Sequence, residues 1–244
     1  MSVSHQTIEN RRISKIPFTN LVDIFFDPSK VFDAEAREPR ALFPFIVVVL
    51  CMAVELLLLA GPMIEVAVHA LPVAMRADMA PQVRDLMERN RIWGIALIPI
   101  IQGVRIVAIS GIVYLGAAMA SQGVDEEGGY HRALSIVAYA SLALVVEVAV
   151  NLITLYFVGW HGATQFMDLT PVIGMQYLVT DPANHHVAYT VLQRLNPFTL
   201  LYAWLLTVGM RRIFRVSWLN AATVAATAVA AGIATVAVTA FIKG

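Results

Sequence analysis

The sequence predicts an all-α, polytopic membrane helix bundle, with five transmembrane helices behind an amphipathic N-terminal arm. Three observations carry that expectation. Hydrophobic residues make up 59% of the 244 positions and charged residues 14%, where a soluble domain is about 45–50% apolar and about 25% charged. The mean hydropathy is +0.71, an excess of apolar surface that lipid has to solvate. Five apolar runs also reach or approach the ~20 residues that a helix needs to cross a hydrocarbon layer of about 30 Å.

The arm occupies residues 1–40 and holds Arg11, Arg12, Lys15, Lys30, Arg37 and Arg40. It has no short apolar stretch followed by a small-residue cleavage site, so the first span is expected to remain in the mature chain. Phe18, Leu21, Val22, Phe25 and Phe26 recur at helical spacing and predict a short amphipathic helix. Asp27 before Pro28 is an N-cap and first-turn pair that opens a second one. Such an arm either lies on the membrane surface or packs against the ends of the bundle.

Residues 41–244 form the expected five-helix domain, with spans at about 41–60, 93–119, 133–158, 197–212 and 219–242. Between the first two, residues 61–92 mix apolar and charged positions and predict a small helical cap outside the membrane. The stretch 159–196, broken by Pro171 and Pro182, is the longest irregular connection, and long connections are either functional or disordered. The fourth span is the shortest. Only about fourteen residues separate Pro197 from Arg211, so the arginines must snorkel at its end or the segment is a re-entrant half-span. In the fifth, Ala222, Ala226, Ala230 and Ala234 form an i, i+4 row beside Gly232. Small residues let helix backbones approach closely, so this helix is expected to pack against its neighbours or a second copy.

Basic residues orient the bundle. With the N-terminus in the cytoplasm, the inner segments carry the six of the arm together with Arg132, Arg211, Arg212 and Arg215; the outer ones carry Arg76, Arg84, Arg89, Arg91, Arg194 and Lys243. The bias favours an inside N-terminus and an outside C-terminus, in the inner membrane if the cell is bacterial. Zero net charge provides no basic field for nucleic acid. The lone cysteine, Cys51, excludes an intrachain disulfide and a cysteine-built zinc site.

Three patches carry a family resemblance. The first is Phe25-Phe26-Asp27-Pro28-Ser29-Lys30-Val31-Phe32, continued by Pro39 and by Pro44 at the mouth of the first span. The second is Gly128-Gly129-Tyr130 with Tyr139-Ala140-Ser141, and the third is Asn196-Pro197-Phe198-Thr199-Leu200. In this order they make the chain similar to the Yip1 family, in its bacterial branch. The resemblance implies five spans and a cytoplasmic N-terminus. Eukaryotic members are associated with membrane trafficking and small-GTPase-linked complexes, but the Asp-Leu-Tyr-Gly-Pro tract that marks many of them is absent from this sequence.

Chemistry inside the spans is expected at Glu55, Arg105 and Glu147, with Gln102 at i−3 from Arg105 and Asn151 at i+4 from Glu147. At about 1.5 Å rise per residue, the three charges fall at a common depth of roughly 21–22 Å. A charge at the membrane centre costs at least about 2.5–3.5 kcal/mol, so Arg105 is expected within salt-bridge distance of Glu55 or Glu147. Such a cluster either holds three helices in register or serves a transported proton, ion or small polar solute. Outside the membrane, Glu65 and His69 at i, i+4 could offer two metal ligands, completed by His161, Asp168, His185 or His186, although scattered surface histidines explain the same residues. No nucleophile motif, phosphate-binding glycine loop or dinucleotide fingerprint is present, and no cofactor follows from the sequence. The expected role is therefore non-enzymatic: an oligomerising membrane-organising or adaptor component, with a small transporter or channel as the alternative.

Overall fold

A computed structural model of the chain describes residues 18–120, 129–159, 169, 174–181 and 185–243. Among the described residues the regular structure is helical. The arm contributes α1 (Phe18–Phe26) and α2 (Pro28–Glu35), followed by α3 (Leu42–His69), α4 (Val73–Ala120), α5 (Gly129–Ala140), α6 (Leu142–Val158), α7 (His186–Gln193), α8 (Pro197–Phe214) and α9 (Trp218–Lys243). Four apolar runs, Leu42–His69, Val73–Ala120, Gly129–Phe157 and Trp218–Phe241, have the length and composition to cross a membrane. The third comprises α5 and α6, interrupted at Ser141.

Residues 61–92 extend the first two long helices instead of forming a separate element. Helix α3 continues through Pro62 to His69, the chain turns at 70–72, and α4 begins at Val73. At 48 residues and about 1.5 Å per residue, α4 is about 72 Å long, more than twice the hydrocarbon thickness. The α3–α4 hairpin therefore projects beyond the bundle, clasped there by an Arg84–Glu65 ion pair at 3.6 Å.

The shortest expected span lies at the centre of the packing. Helix α8 contacts α2, α5, α6 and α9, and Leu205, Leu206 and Met210 have no exposed surface. It begins at an N-cap, where the Asn196 side chain accepts from the Thr199 N–H at 2.8 Å and Pro197 fills a first-turn position. Gly209 allows the closest approach: a Cβ there would stand 2.8 Å from Ile136 of α5 and 3.1 Å from the Phe32 ring of α2.

Both expected arm helices form, and Asp27 caps α2 by accepting from the Lys30 N–H at 3.2 Å. The arm divides its apolar residues between two surroundings. Ile24, Val31 and Phe32 are fully buried against the bundle, which stabilises docking by about 1.5–3 kcal/mol for each side chain. Phe18, Val22 and Phe26 stand one turn apart on the exposed side. The Phe18 ring meets Phe43 of α3 edge-on at 5.3 Å.

On α9 the inward row is Ala221, Ala225 and Ala228, with Val224 against Gly116 of α4. The row at Ala226, Ala230 and Ala234 faces out of the bundle together with Gly232, around which there is open space.

Candidate functional site

Glu55 of α3, Gln102 and Arg105 of α4, and Glu147 and Asn151 of α6 lie on three helices, with α3 packed against both α4 and α6. Gln102 and Asn151 are buried, and the three charged residues are half-buried. The expected salt bridge does not form. Instead, the Arg105 guanidinium donates to the Gln102 side-chain oxygen at 3.4 Å and lies 5.8 Å from the centre of the Tyr202 ring. Local geometry explains this: Gln102 sits one turn back on the same helix, and buried Tyr202 on α8 offers the guanidinium a π-face.

Glu147 has a different partner. Its carboxylate accepts from the Asn196 side-chain N–H at 3.1 Å. Asn196 is held for that task, because its oxygen is committed to capping α8 and its NH₂ also donates to the Gln193 carbonyl at 3.2 Å. The charges of Arg194 and Arg105 act on Glu147 through space. Glu55 and Glu147 likewise sense one another across the α3–α6 contact.

Glu55 borders a groove of about 340 Å³ between α3 and α4, whose walls are Met52, Leu56, Leu59, Ile98 and Ile101 with Gln102. Deeper in the bundle, the Asn151 side-chain oxygen and the hydroxyls of Tyr202 and Ser110 are buried without a hydrogen-bond partner. The cluster can thus accept hydrogen bonds or positive charge at several atoms. It also presents the guanidinium near one face.

The Glu65 and His69 pair behaves differently from a metal site. His69 Nδ1 is 2.8 Å from the backbone oxygen of Glu65, and the Glu65 carboxylate is engaged by Arg84. His161 and Asp168 lie outside the described residues, as does the side chain of His186, and His185 is exposed at the start of α7. Among the described residues, no three metal-binding side chains come together.

The sequence reading did not single out a second buried polar junction, at the arm. Glu35 of α2 is 2% exposed and accepts from Ser135 Oγ at 2.5 Å and from the Arg40 backbone N–H at 2.7 Å. The Tyr139 hydroxyl lies near Glu35 and Asn20 without meeting hydrogen-bond geometry with either. An Arg212–Asp33 ion pair at 3.7 Å joins α8 to α2 beside it. A signal was available, since Val31, Phe32 and Glu35 share one face of α2 at i, i+1, i+4.

Each of the three patches behind the family resemblance contributes a residue to these two junctions. Phe32 meets Tyr139 edge-on at 6.4 Å, joining the first patch to the second, and Pro28 and Pro44 are buried. The third patch supplies Asn196 to Glu147. Long apolar helices, a docked arm and these buried junctions define a multi-pass, all-α membrane protein. The chain belongs to the Yip1 family, for the family model of the Yip1 domain matches residues 22–239. Neither a curated protein nor a solved structure matches the chain.

Proposed function

We propose that this Yip1-family protein is a non-catalytic organiser of the membrane that self-associates through α9 and holds other membrane proteins around it. The observation that supports this reading is the outward row of Ala226, Ala230 and Ala234 with Gly232 on α9. Helix association in lipid depends on close packing, which small side chains permit over several turns. The inner row of the same helix is already used within the chain, so the outer row is available to a second copy. The fixed arm completes the proposal. With the N-terminus in the cytoplasm, the docked α1 and α2 form a rigid inner surface, and Phe18, Val22 and Phe26 rest on the lipid interface.

Counting fluorophores by photobleaching in nanodiscs loaded from dilute membranes tests the reading. Two or more copies per disc are expected for the wild-type chain, and single copies for Ala230→Phe combined with Gly232→Leu. A wild-type protein that remains single at every protein-to-lipid ratio removes self-association from the proposal.

A further inference from the structure

Positive charge is concentrated where α8 turns into α9. Arg211, Arg212 and Arg215 fall within five residues, and no aspartate or glutamate follows Asp181, so α8, the turn and α9 offer them no countercharge. Among the described residues one reaches them from the arm, Asp33, at 3.7 Å from Arg212. Arg211 and Arg215 make no ion pair there, and all three arginines are exposed. Residues 215–217 alone separate the two helices, and the Arg211 guanidinium lies over the Trp218 ring, 5.4 Å from its centre, so Arg215 stands inside the loop that this contact closes. Buried Phe214 and Val216 anchor the chain on either side of it. Arg215 also has a φ of 56°, a left-handed conformation that disfavours L side chains and ordinarily falls to glycine at a helix C-terminus. Strain of that kind, kept at an exposed arginine, points to a use for the side chain.

We propose that the α8–α9 turn binds the phosphate of an anionic phospholipid, held by Arg211 and Arg215 with the Trp218 ring at headgroup level. Depth identifies the partner. Trp218 opens the apolar run Trp218–Phe241, and between Arg215 and Lys243 the sequence has no charged residue, so the turn sits where the headgroups begin. Tryptophan is enriched at that level. A guanidinium resting on an aromatic face keeps its in-plane N–H groups, and that fork matches two phosphate oxygens at once. Charge selects the headgroup. A zwitterionic lipid such as phosphatidylcholine brings an ammonium that the two arginines repel, whereas phosphatidylglycerol brings its phosphate without one. Arg212 has a separate part, because its contact with Asp33 ties the arm to this end of α8.

The site is independent of self-association, and its test reads lipid preference directly. Full-length protein with Trp218 as its sole tryptophan (Trp93→Phe, Trp160→Phe and Trp204→Phe) is reconstituted in phosphatidylcholine bilayers. A fixed fraction of the lipid carries brominated acyl chains, either as phosphatidylglycerol or as phosphatidylcholine. Bromine quenches an adjacent tryptophan, so the ratio of the two signals reports which lipid occupies the turn. A preference of roughly tenfold for phosphatidylglycerol is expected from two basic residues beside an anionic headgroup. Arg211→Gln with Arg215→Gln should abolish it, and Arg211→Lys with Arg215→Lys, which keeps the charge but not the fork, should reduce it by roughly threefold or more. Arg37→Gln, which removes a charge from the arm instead, should leave it unchanged. Arg215→Gly separates binding from folding: glycine adopts a φ of 56° freely, so the unfolding midpoint in detergent should rise while the lipid preference falls. Equal quenching by the two lipids, a preference untouched by the lysine pair, or relief of quenching by inorganic phosphate, which would make a soluble anion the ligand, would each overturn the assignment.

Discussion

Ser135 and Glu35 stand 100 residues apart in the chain and share a hydrogen bond of 2.5 Å, buried where α2 meets α5. A serine hydroxyl and a backbone N–H both donate to Oε2 of a carboxylate that is buried. The arm is thereby fixed to the bundle by a polar contact as well as by Val31 and Phe32. A hydrogen bond to a charged group contributes about 1.5–3 kcal/mol, so Ser135→Ala should destabilise the protein by about 1–3 kcal/mol. The arm should be released first. Limited proteolysis in detergent checks this, with faster cleavage expected between α2 and α3 in the variant than in wild type.

Gly209 and Gly232 should respond in opposite ways to the same substitution. At Gly209 a Cβ would press on Ile136 and on the Phe32 ring, neither of which can move without disturbing a filled core. Overpacking of this kind costs about 1–3 kcal/mol, and Gly209→Ala is expected to lower the unfolding midpoint accordingly. Gly232 lies in open space on α9, where alanine is about 0.5–1 kcal/mol better than glycine in a helix. Unfolding of both variants in one detergent series provides the comparison.

The helices were legible from composition and periodicity, because a 20-residue apolar run has few other fates. Caps at Asp27 and Asn196 were legible for the same local reason. What the sequence could not convey was the choice of partner at each polar residue. Equal depth on three helices suggested that Arg105 would reach a glutamate, yet depth says nothing of rotation about the helix axis, and Gln102 and Tyr202 lie on the side that the guanidinium faces. The α9 row at Ala222, Ala226, Ala230 and Ala234 was visible as a pattern, but the inward side proved to be the neighbouring row at Ala221, Ala225 and Ala228. Glu35 was not legible as a buried group because it lies outside the apolar runs, where a carboxylate is ordinarily solvated.

Tyr202 separates the worth of its ring from that of its hydroxyl. The ring is buried and faces Arg105, while the hydroxyl has no partner. Tyr202→Phe therefore removes an uncompensated polar group and should leave stability unchanged or slightly raised, whereas Tyr202→Ala opens a cavity costing about 3–5 kcal/mol. Chemical unfolding of both variants decides it. A marked loss in Tyr202→Phe would mean that water occupies the site and hydrogen-bonds the hydroxyl.

The contact between the arm helices should loosen at alkaline pH. Lys30 donates to Asp23 at 2.9 Å, and that hydrogen bond, reinforced by the Asp23 charge, raises the lysine above its ordinary value of 10.5. A raised folded-state value means that the contribution is fully present below the ordinary value and is lost as pH climbs through the raised one. Hydrogen–deuterium exchange of α1 and α2, corrected for intrinsic rate, should accordingly show no loosening from this pair between neutral pH and about pH 10. In Lys30→Met any alkaline loosening should disappear.

The membrane topology turns on α8, and the two ends of the chain report it. Among the described residues, four helical runs qualify as spans by length and composition, and an even number of crossings returns the C-terminus to the side of the N-terminus. If α8 also crosses, the number is five and the ends part. At 18 residues and about 1.5 Å each, α8 is about 27 Å long, close to the hydrocarbon thickness of about 30 Å. Arg211 and Arg212 in its last turn are exposed and can extend to the interface. A re-entrant segment would have to turn back within its own length, whereas α8 runs without a break from the Asn196 cap beside Glu147 to Arg212 beside Asp33 of the arm. That path runs from the depth of Glu147, inside the third span, to the arm, and a full crossing by α8 is the outcome to be tested. With Cys51 replaced by serine, single cysteines at Ser4 and Lys243 should react with a membrane-impermeant maleimide from opposite faces of sealed vesicles, Lys243 from outside the cell. Labelling of both positions from one face would leave α8 as a helix that does not cross and would reverse the assignment of the C-terminus.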